Sequence, residues 1–365
     1  MRPFTRLPLF LSLLAMATAI RAAEPPRLAT RSGIDPAFID SKVRPQDDLF
    51  RHVNGKWLAD SPIPPDRALD GAFYKLRDQS EAELRTIIDQ TAARSDNAPG
   101  SEAQKIGDLY ASFMDEATAD KLGLKPIEGD LIHIIALIQS KADLVRALGE
   151  LGRVGTDGAF DGSIDTDAKQ SDRYILYLSQ GRLGLPDESY YRLEKFQPIR
   201  TAYLAHVKTM FALAKLPDPA KSADLIFALE TRLAKDHWDR VKSRDDTLTY
   251  NKKSLKQLAE LTPGFDWAAW LKATGVKGID EVVVRQPSFF TAMAKALDEV
   301  PLDTWKKWLA WSVLRNSAPY LSKPFVDENF AFYGKTLTGA QEIKPRWKRA
   351  VGAVEGSMGE AVGKL

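Results

Sequence analysis

"KIGDLYASFMD", residues 105–115, decides the class of fold. Ile106, Leu109, Tyr110, Phe113 and Met114 fall at i, i+3, i+4, i+7 and i+8, one apolar stripe on a helix of 3.6 residues per turn. The spacing recurs outward. Leu131, Ile134, Ile135 and Ile138 repeat it, as do Tyr203, Val207, Met210 and Phe211, and then Ile226, Leu229 and Leu233. "SKAD" (Ser140 to Asp143) reads as a capping box for a helix carrying Leu144, Leu148 and Leu151, and Ser254 with Gln257 caps another. Residues 158–185 break the pattern. "RYILYLSQ" (Arg173 to Gln180) is β-branched and aromatic, "GAFDGSID" before it can pair with it, and "GRLGLPDESYY" closes the unit. The fold class is therefore mainly α: a large helical lobe with one small β-hairpin.

Toward the N-terminus the reading changes. In "DDLFRHVNGKWLADSPIPPD" (47–66) the first half can be helical, but Asn54-Gly55 offers a turn or helix stop. Trp57 and Leu58 need burial, while Pro62, Pro64 and Pro65 forbid regular structure. Residues 24–75 thus read as an extended proline-rich arm that lies along another domain. Residues 1–23 read as a signal peptide, with Arg2 and Arg6 ahead of the apolar Leu7–Met16 and small residues at Ala17-Thr18-Ala19. That apolar run is too short for a stable membrane anchor. The chain has no cysteine, which excludes disulfides, thiolate zinc sites and a cysteine nucleophile. Export without cysteine fits a bacterial periplasm or exterior. A signal cut after Ala19 removes Arg2 and Arg6 and brings the 51 basic residues level with the 49 acidic ones, so a nucleic-acid partner lacks its electrostatic footprint.

The four histidines, His52, His133, His206 and His237, bound the metal chemistry. A zinc peptidase helix needs two histidines four apart with a glutamate beside the first, and no pair has that spacing. His133 lies opposite an apolar face and is expected to be solvated; His206 and His237 read as packing residues. "DGAFDGSIDTD" (157–167) lacks the ligand spacing of a calcium loop. "KPRWKR" (344–349) reads as a helix start with a buried Trp347. "HWDRVKSRDDTLTYN" (237–251) gathers Trp238, Arg240, Arg244, Asp245, Tyr250 and Asn251 past a long helix. It is either a solvated helix end with local ion pairs, or a polar surface that orders a loop against a partner domain or lines a cavity. Finally, Val351, Val354, Met358, Ala361 and Leu365 form a stripe with no stop signal after it. The expectation is a truncated chain whose last helix lacks much of its partner surface.

Five segments, in order, resemble the neprilysin-type zinc metallopeptidases and their bacterial oligopeptidase relatives. They are "GIDPAFIDSKVRPQDDLFRHVNGKWLADSPIPPD", "KIGDLYASFMD", "GRLGLPDESYY", "LETRLAKDHW" with "RDDTLTYN", and "FYGKTLTGAQEIKPRWKRAVGAVEGSMGEAVGKL". The resemblance spans nearly everything from Gly33 to Leu365. It implies a two-lobed enzyme in which a helical lobe, residues 76–335, caps a thermolysin-like catalytic lobe and encloses a cavity for oligopeptides. Residues 336–365 would begin the connection to that lobe. Asn54, Trp57, Arg244, Asp245, Tyr250 and Asn251 become candidate interdomain or cavity-lining residues, with Trp57 an anchor at the junction. The H-E-x-x-H helix, the further glutamate ligand and the acid/base residues of the family would follow Leu365. The resemblance therefore implies the N-terminal domain of an exported metalloendopeptidase: no catalytic or metal residue and no cofactor in this chain, zinc in the full-length parent, and a C-terminal catalytic lobe as partner. The alternative is a stand-alone, non-catalytic helical module that binds peptides or a partner protein.

Overall fold

Most apolar stripes become α-helices in the computed structural model, which describes residues 34–94 and 96–365, the side chains of residues 132–134 excepted. The stripe at 131–138 instead winds wide over Gly129–Ile134 and ends in a short turn, Ile135–Leu137, before Ile138. The signal at 1–23, the first part of the arm and the His133 side chain lie outside the described residues. Two compact units divide at Pro62.

In the first unit α1 (Leu49–Asp60) starts at Asp48, whose carboxylate accepts the Arg51 N–H at 2.9 Å. The helix does not stop at Asn54-Gly55. Asn54 Nδ2 instead donates to the Phe50 carbonyl at 3.1 Å. A Cβ on Gly55 would lie 2.6 Å from Asp40 Cβ, so the glycine serves close packing rather than termination. The part of the arm expected to be extended here is helical; irregular backbone begins at Ser61, where the prolines are.

The second unit holds two apolar clusters. Helices α2 (Ala72–Ala92) and α3 (Glu102–Met114) pack Ile88, Ile106 and Tyr110 against Ala350, Val351, Val354 and Val362. The expectation of a last helix short of partners is thereby corrected. Its partners come from residues some 250 positions upstream, a pairing that periodicity cannot disclose. At Met358 the backbone leaves helical geometry (φ −139°, ψ 24°), and beyond it Val362 is buried while Leu365 is exposed.

The larger cluster follows the predicted stripes. Helix α4 (Lys141–Arg153) starts at Ser140, which accepts the Asp143 N–H, and buries Leu144, Leu148 and Leu151. Helix α5 (Gln197–Leu213) buries Tyr203, Val207, Met210 and Phe211, and α6 (Pro219–Asp236) buries Ile226, Leu229 and Leu233. Ser254 and Gln257 form the expected capping box on α7 (Leu255–Leu261). Helix α8 (Pro287–Glu299) buries Phe289 and Phe290, and α9 (Leu302–Ser317) places Trp305, Trp308 and Trp311 in the same core. Helix α10 (Lys323–Asn329) precedes a stretch of wider winding, Phe330–Leu337, and α11 (Arg346–Val362) is the last.

The hairpin forms as read, β1 (Phe160–Asp167) antiparallel to β2 (Gln170–Gln180). It is half of a four-stranded sheet in the order β1-β2-β4-β3, where β3 is Lys252–Ser254 and β4 is Glu281–Val284. Strand β4 runs parallel to β2, and Val282, Val283 and Val284 are all fully buried. A strand covered on both faces shows no alternation, so its short valine run carried no strand signature. Among the described residues no helix is long and apolar enough to cross a membrane.

Candidate functional site

The loop that leaves β2, "GRLGLPDESYY" (181–191), is shaped by its two glycines. Gly181 presses on the backbone of Gly158 and Ala159, and its N–H donates to the Ala159 carbonyl at 3.2 Å. A Cβ on Gly184 would overlap the Tyr203 hydroxyl. Below the loop, Tyr191 and Tyr203 both donate to Glu230 Oε2, at 2.9 and 2.8 Å. Tyr191 also accepts the Leu185 N–H at 3.1 Å, Trp311 Nε1 donates to the Tyr203 hydroxyl at 2.8 Å, and Tyr333 donates to the Gly184 carbonyl at 3.0 Å. Burial pushes the Glu230 carboxyl above its ordinary value, against the pull of Arg315 and the two tyrosines. These buried hydrogen bonds hold the loop as a rigid rim.

That rim borders a cavity of about 540 Å³. Its floor is the Arg315–Asp157 ion pair at 2.9 Å, with the Arg315 side chain only 9% exposed. Burial opposes the Arg315 charge, but Tyr333, Tyr203, Glu230 and Asp157 around it raise the guanidinium above its ordinary value. One wall is Trp238, which exchanges hydrogen bonds with the Gln180 amide at 2.8 and 3.0 Å and donates Nε1 to Ser288 at 2.8 Å. Arg240 reaches across to Asp187 at 3.0 Å. His237, edge-on to Phe289, is pushed down to about 4 by burial, so it is neutral near pH 7. Two further hollows, of about 690 and 490 Å³, share Asp157 and Arg182 with this cavity. The three meet at one polar junction.

The sequence-predicted residues are distributed otherwise. Asn54 and Trp57 lie half-buried on α1 in the first unit. Asp245 caps the short helix Asp246–Thr249, accepting the N–H groups of Thr247 and Leu248 at 2.9 and 3.1 Å, and Arg244 beside it is exposed. Tyr250 donates to the fully buried Asp167 at 2.6 Å, where Arg173 also binds at 2.9 and 3.0 Å. The Tyr250 hydroxyl, ahead of the Lys169 N–H and Arg173, holds the Asp167 carboxyl at about 2; Tyr250 itself is pushed up to about 12 by burial and by that bond. Asn251 Nδ2 donates to the carbonyls of Leu248 and Val284 at 2.7 and 3.1 Å. Tyr250 and Asn251 thus clamp the hairpin tip and β4. From the same segment the cavity takes His237, Trp238, Arg240 and Ser243 instead.

Asp157, Arg182, Glu230, Arg315 and Tyr333 were missed. Two signals were available: a lone arginine bracketed by glycines in "GRLG", and an arginine four residues beyond Trp311 in a tryptophan-rich stripe. Among the described residues no three His, Asp or Glu side chains are grouped to hold a metal ion. His52 sits on the Val43 carbonyl at 2.7 Å, and His206 on Glu328 at 2.8 Å while stacked on Phe332.

Residues 45–365 match the family described as Peptidase family M13. Among solved structures, zinc metalloprotease Zmp1 of Mycobacterium tuberculosis in complex with an inhibitor is 46% identical with a TM-score of 0.88, over 92% of this chain and 51% of that one. Among curated proteins, human membrane metallo-endopeptidase-like 1 is 26% identical over 90% of this chain and 45% of its own length. Endothelin-converting enzyme 1 of Rattus norvegicus is 23% identical over 97% of this chain and 48% of its own. The chain spans about half the length of the relatives it matches.

Proposed function

Because the chain belongs to peptidase family M13, we propose that it is the peptide-holding N-terminal region of a zinc metalloendopeptidase and that the junction around Asp157 and Arg182 faces the substrate. The observation that carries this reading is the cavity itself. Its rim is rigid, its lining mixes charged and apolar side chains, and three adjoining hollows that share Asp157 and Arg182 suit an extended oligopeptide rather than a compact small molecule. The described residues do not fit a zinc site: His52, His206 and His237 are each engaged singly, with a carbonyl, a carboxylate and an aromatic ring. No catalytic step runs through them. Zinc, the H-E-x-x-H helix and the acid/base groups are assigned to a catalytic lobe beyond these residues. Asn54, Trp57, Arg244 and Asp245 remain candidates for contact with it. Residues 1–23 would direct export, to a bacterial periplasm or beyond.

The division of labour has a direct test. After dialysis the purified chain is expected to hold well under one zinc per molecule and to cut no peptide. Tightly held stoichiometric zinc, or cleavage that a chelator abolishes, contradicts it. One observation favours a second reading, a non-catalytic helical module that binds peptides. It is the closure of the α11 stripe by α2 and α3, which leaves that face without need of another lobe.

A further inference from the structure

We propose that Arg182 anchors a carboxylate of the bound peptide, so that the cavity selects acidic peptides. This inference rests on the peptide-holding reading above. It follows from the pairing of charges around the junction. Asp157 is taken by Arg315 at 2.9 Å, Asp187 by Arg240 at 3.0 Å and Glu188 by Arg192 at 3.0 Å. Arg182 alone among the arginines lining the first cavity has no ion-pair partner among the described residues, and it is exposed. Asp161, in the second hollow, is the further carboxylate that feels it. Burial first, and then Asp157, raise the Asp161 carboxyl while Arg182 opposes them, so Asp161 is a poor competitor for the guanidinium.

Position strengthens the assignment. Arg182 lines all three hollows, so a ligand in any of them passes its guanidinium. The backbone on either side is fixed by the packing of Gly181 and Gly184, while the side chain is free to form a two-pronged bond with a carboxylate. A fixed stem with an unpaired head loses little freedom on binding. Leu183 and Trp238, which line the same cavity, offer apolar contact for neighbouring peptide side chains.

The test titrates the whole chain, by calorimetry, with a blocked pentapeptide carrying a central glutamate and with its glutamine twin. The glutamate peptide is expected to bind about fivefold more tightly, the size of one exposed charge pair, and 0.5 M salt should erase the difference. Arg182→Gln should remove the preference without moving the thermal midpoint, Arg182→Lys should keep part of it, and Lys295→Gln, in a separate hollow that shares no residue with these three, should leave it intact. Equal binding of the two peptides to the wild type, or a preference that survives Arg182→Gln, overturns the role of Arg182 and leaves peptide binding standing. Failure of both peptides to bind overturns the peptide-holding reading, and this inference with it.

Discussion

Alanine at Gly184 should destabilise the chain by about 3 kcal/mol, the upper end of the ordinary cost of overpacking a core. The added methyl would overlap the hydroxyl of Tyr203, a fully buried side chain. Tyr203 cannot step aside, because its hydroxyl donates to Glu230 and accepts from Trp311 at 2.8 Å each. Displacing it would strand the Trp311 indole N–H and leave Glu230 Oε2 with Tyr191 as its remaining donor, and a buried donor without a partner is costly. The loop would have to rise instead, taking the Tyr333 bond to the Gly184 carbonyl with it. Gly152 in α4 is the control: a Cβ there meets nothing within 4 Å, so alanine should be neutral or stabilising. Denaturant midpoints of the two variants check the contrast. A loss below about 1 kcal/mol for Gly184→Ala would mean that the rim has slack and is not a rigid platform.

Val354→Asp should have an effect of comparable or greater size, on the order of 4 kcal/mol, because it places an unpaired charge in an apolar cluster. Val354 is fully buried among Ile88, Ile106, Tyr110 and Val351. Backbone amides around Val354 should exchange slowly in the wild type and rapidly in the variant. A mild loss, below about 1 kcal/mol, together with fast exchange already in the wild type would show that α11 is not held by α2 and α3.

Helix period located the core because it is local. Ile106, Tyr203, Val207, Ile226 and Leu233 each sit on a stripe legible within two turns, and each is buried. The hairpin was legible for the same reason, from the β-branched and aromatic content of "RYILYLSQ". What escaped was non-local. The valines of β4 lie between other layers, so burial on both faces removed the alternation that marks a strand. The closure of the α11 stripe depends on helices at the other end of the chain. Gly55 had the composition of a helix stop, but the Asp40 side chain packed against it turns the glycine into a contact point.

The candidate site was legible only at its edge. The polar run 237–251 was correctly marked as dense in hydrogen-bonding groups, yet Tyr250 and Asn251 spend theirs on Asp167 and on the end of β4. Trp238 and Arg240 from the same run do line the cavity. Arg315 and Asp157 are 158 positions apart in sequence and meet at 2.9 Å, and no local pattern announces such a pair.

Peptide binding at the junction is the core of the account, and amide hydrogen exchange of the chain with and without saturating blocked oligopeptide tests it most directly. Slower exchange is expected in the segments that line the junction, residues 155–158, 180–188 and 237–243, with the separate hollow around Lys141, Gly264 and Lys295 unchanged. Unaltered exchange throughout, or protection confined to that separate hollow, would contradict the assignment of this cavity to the substrate.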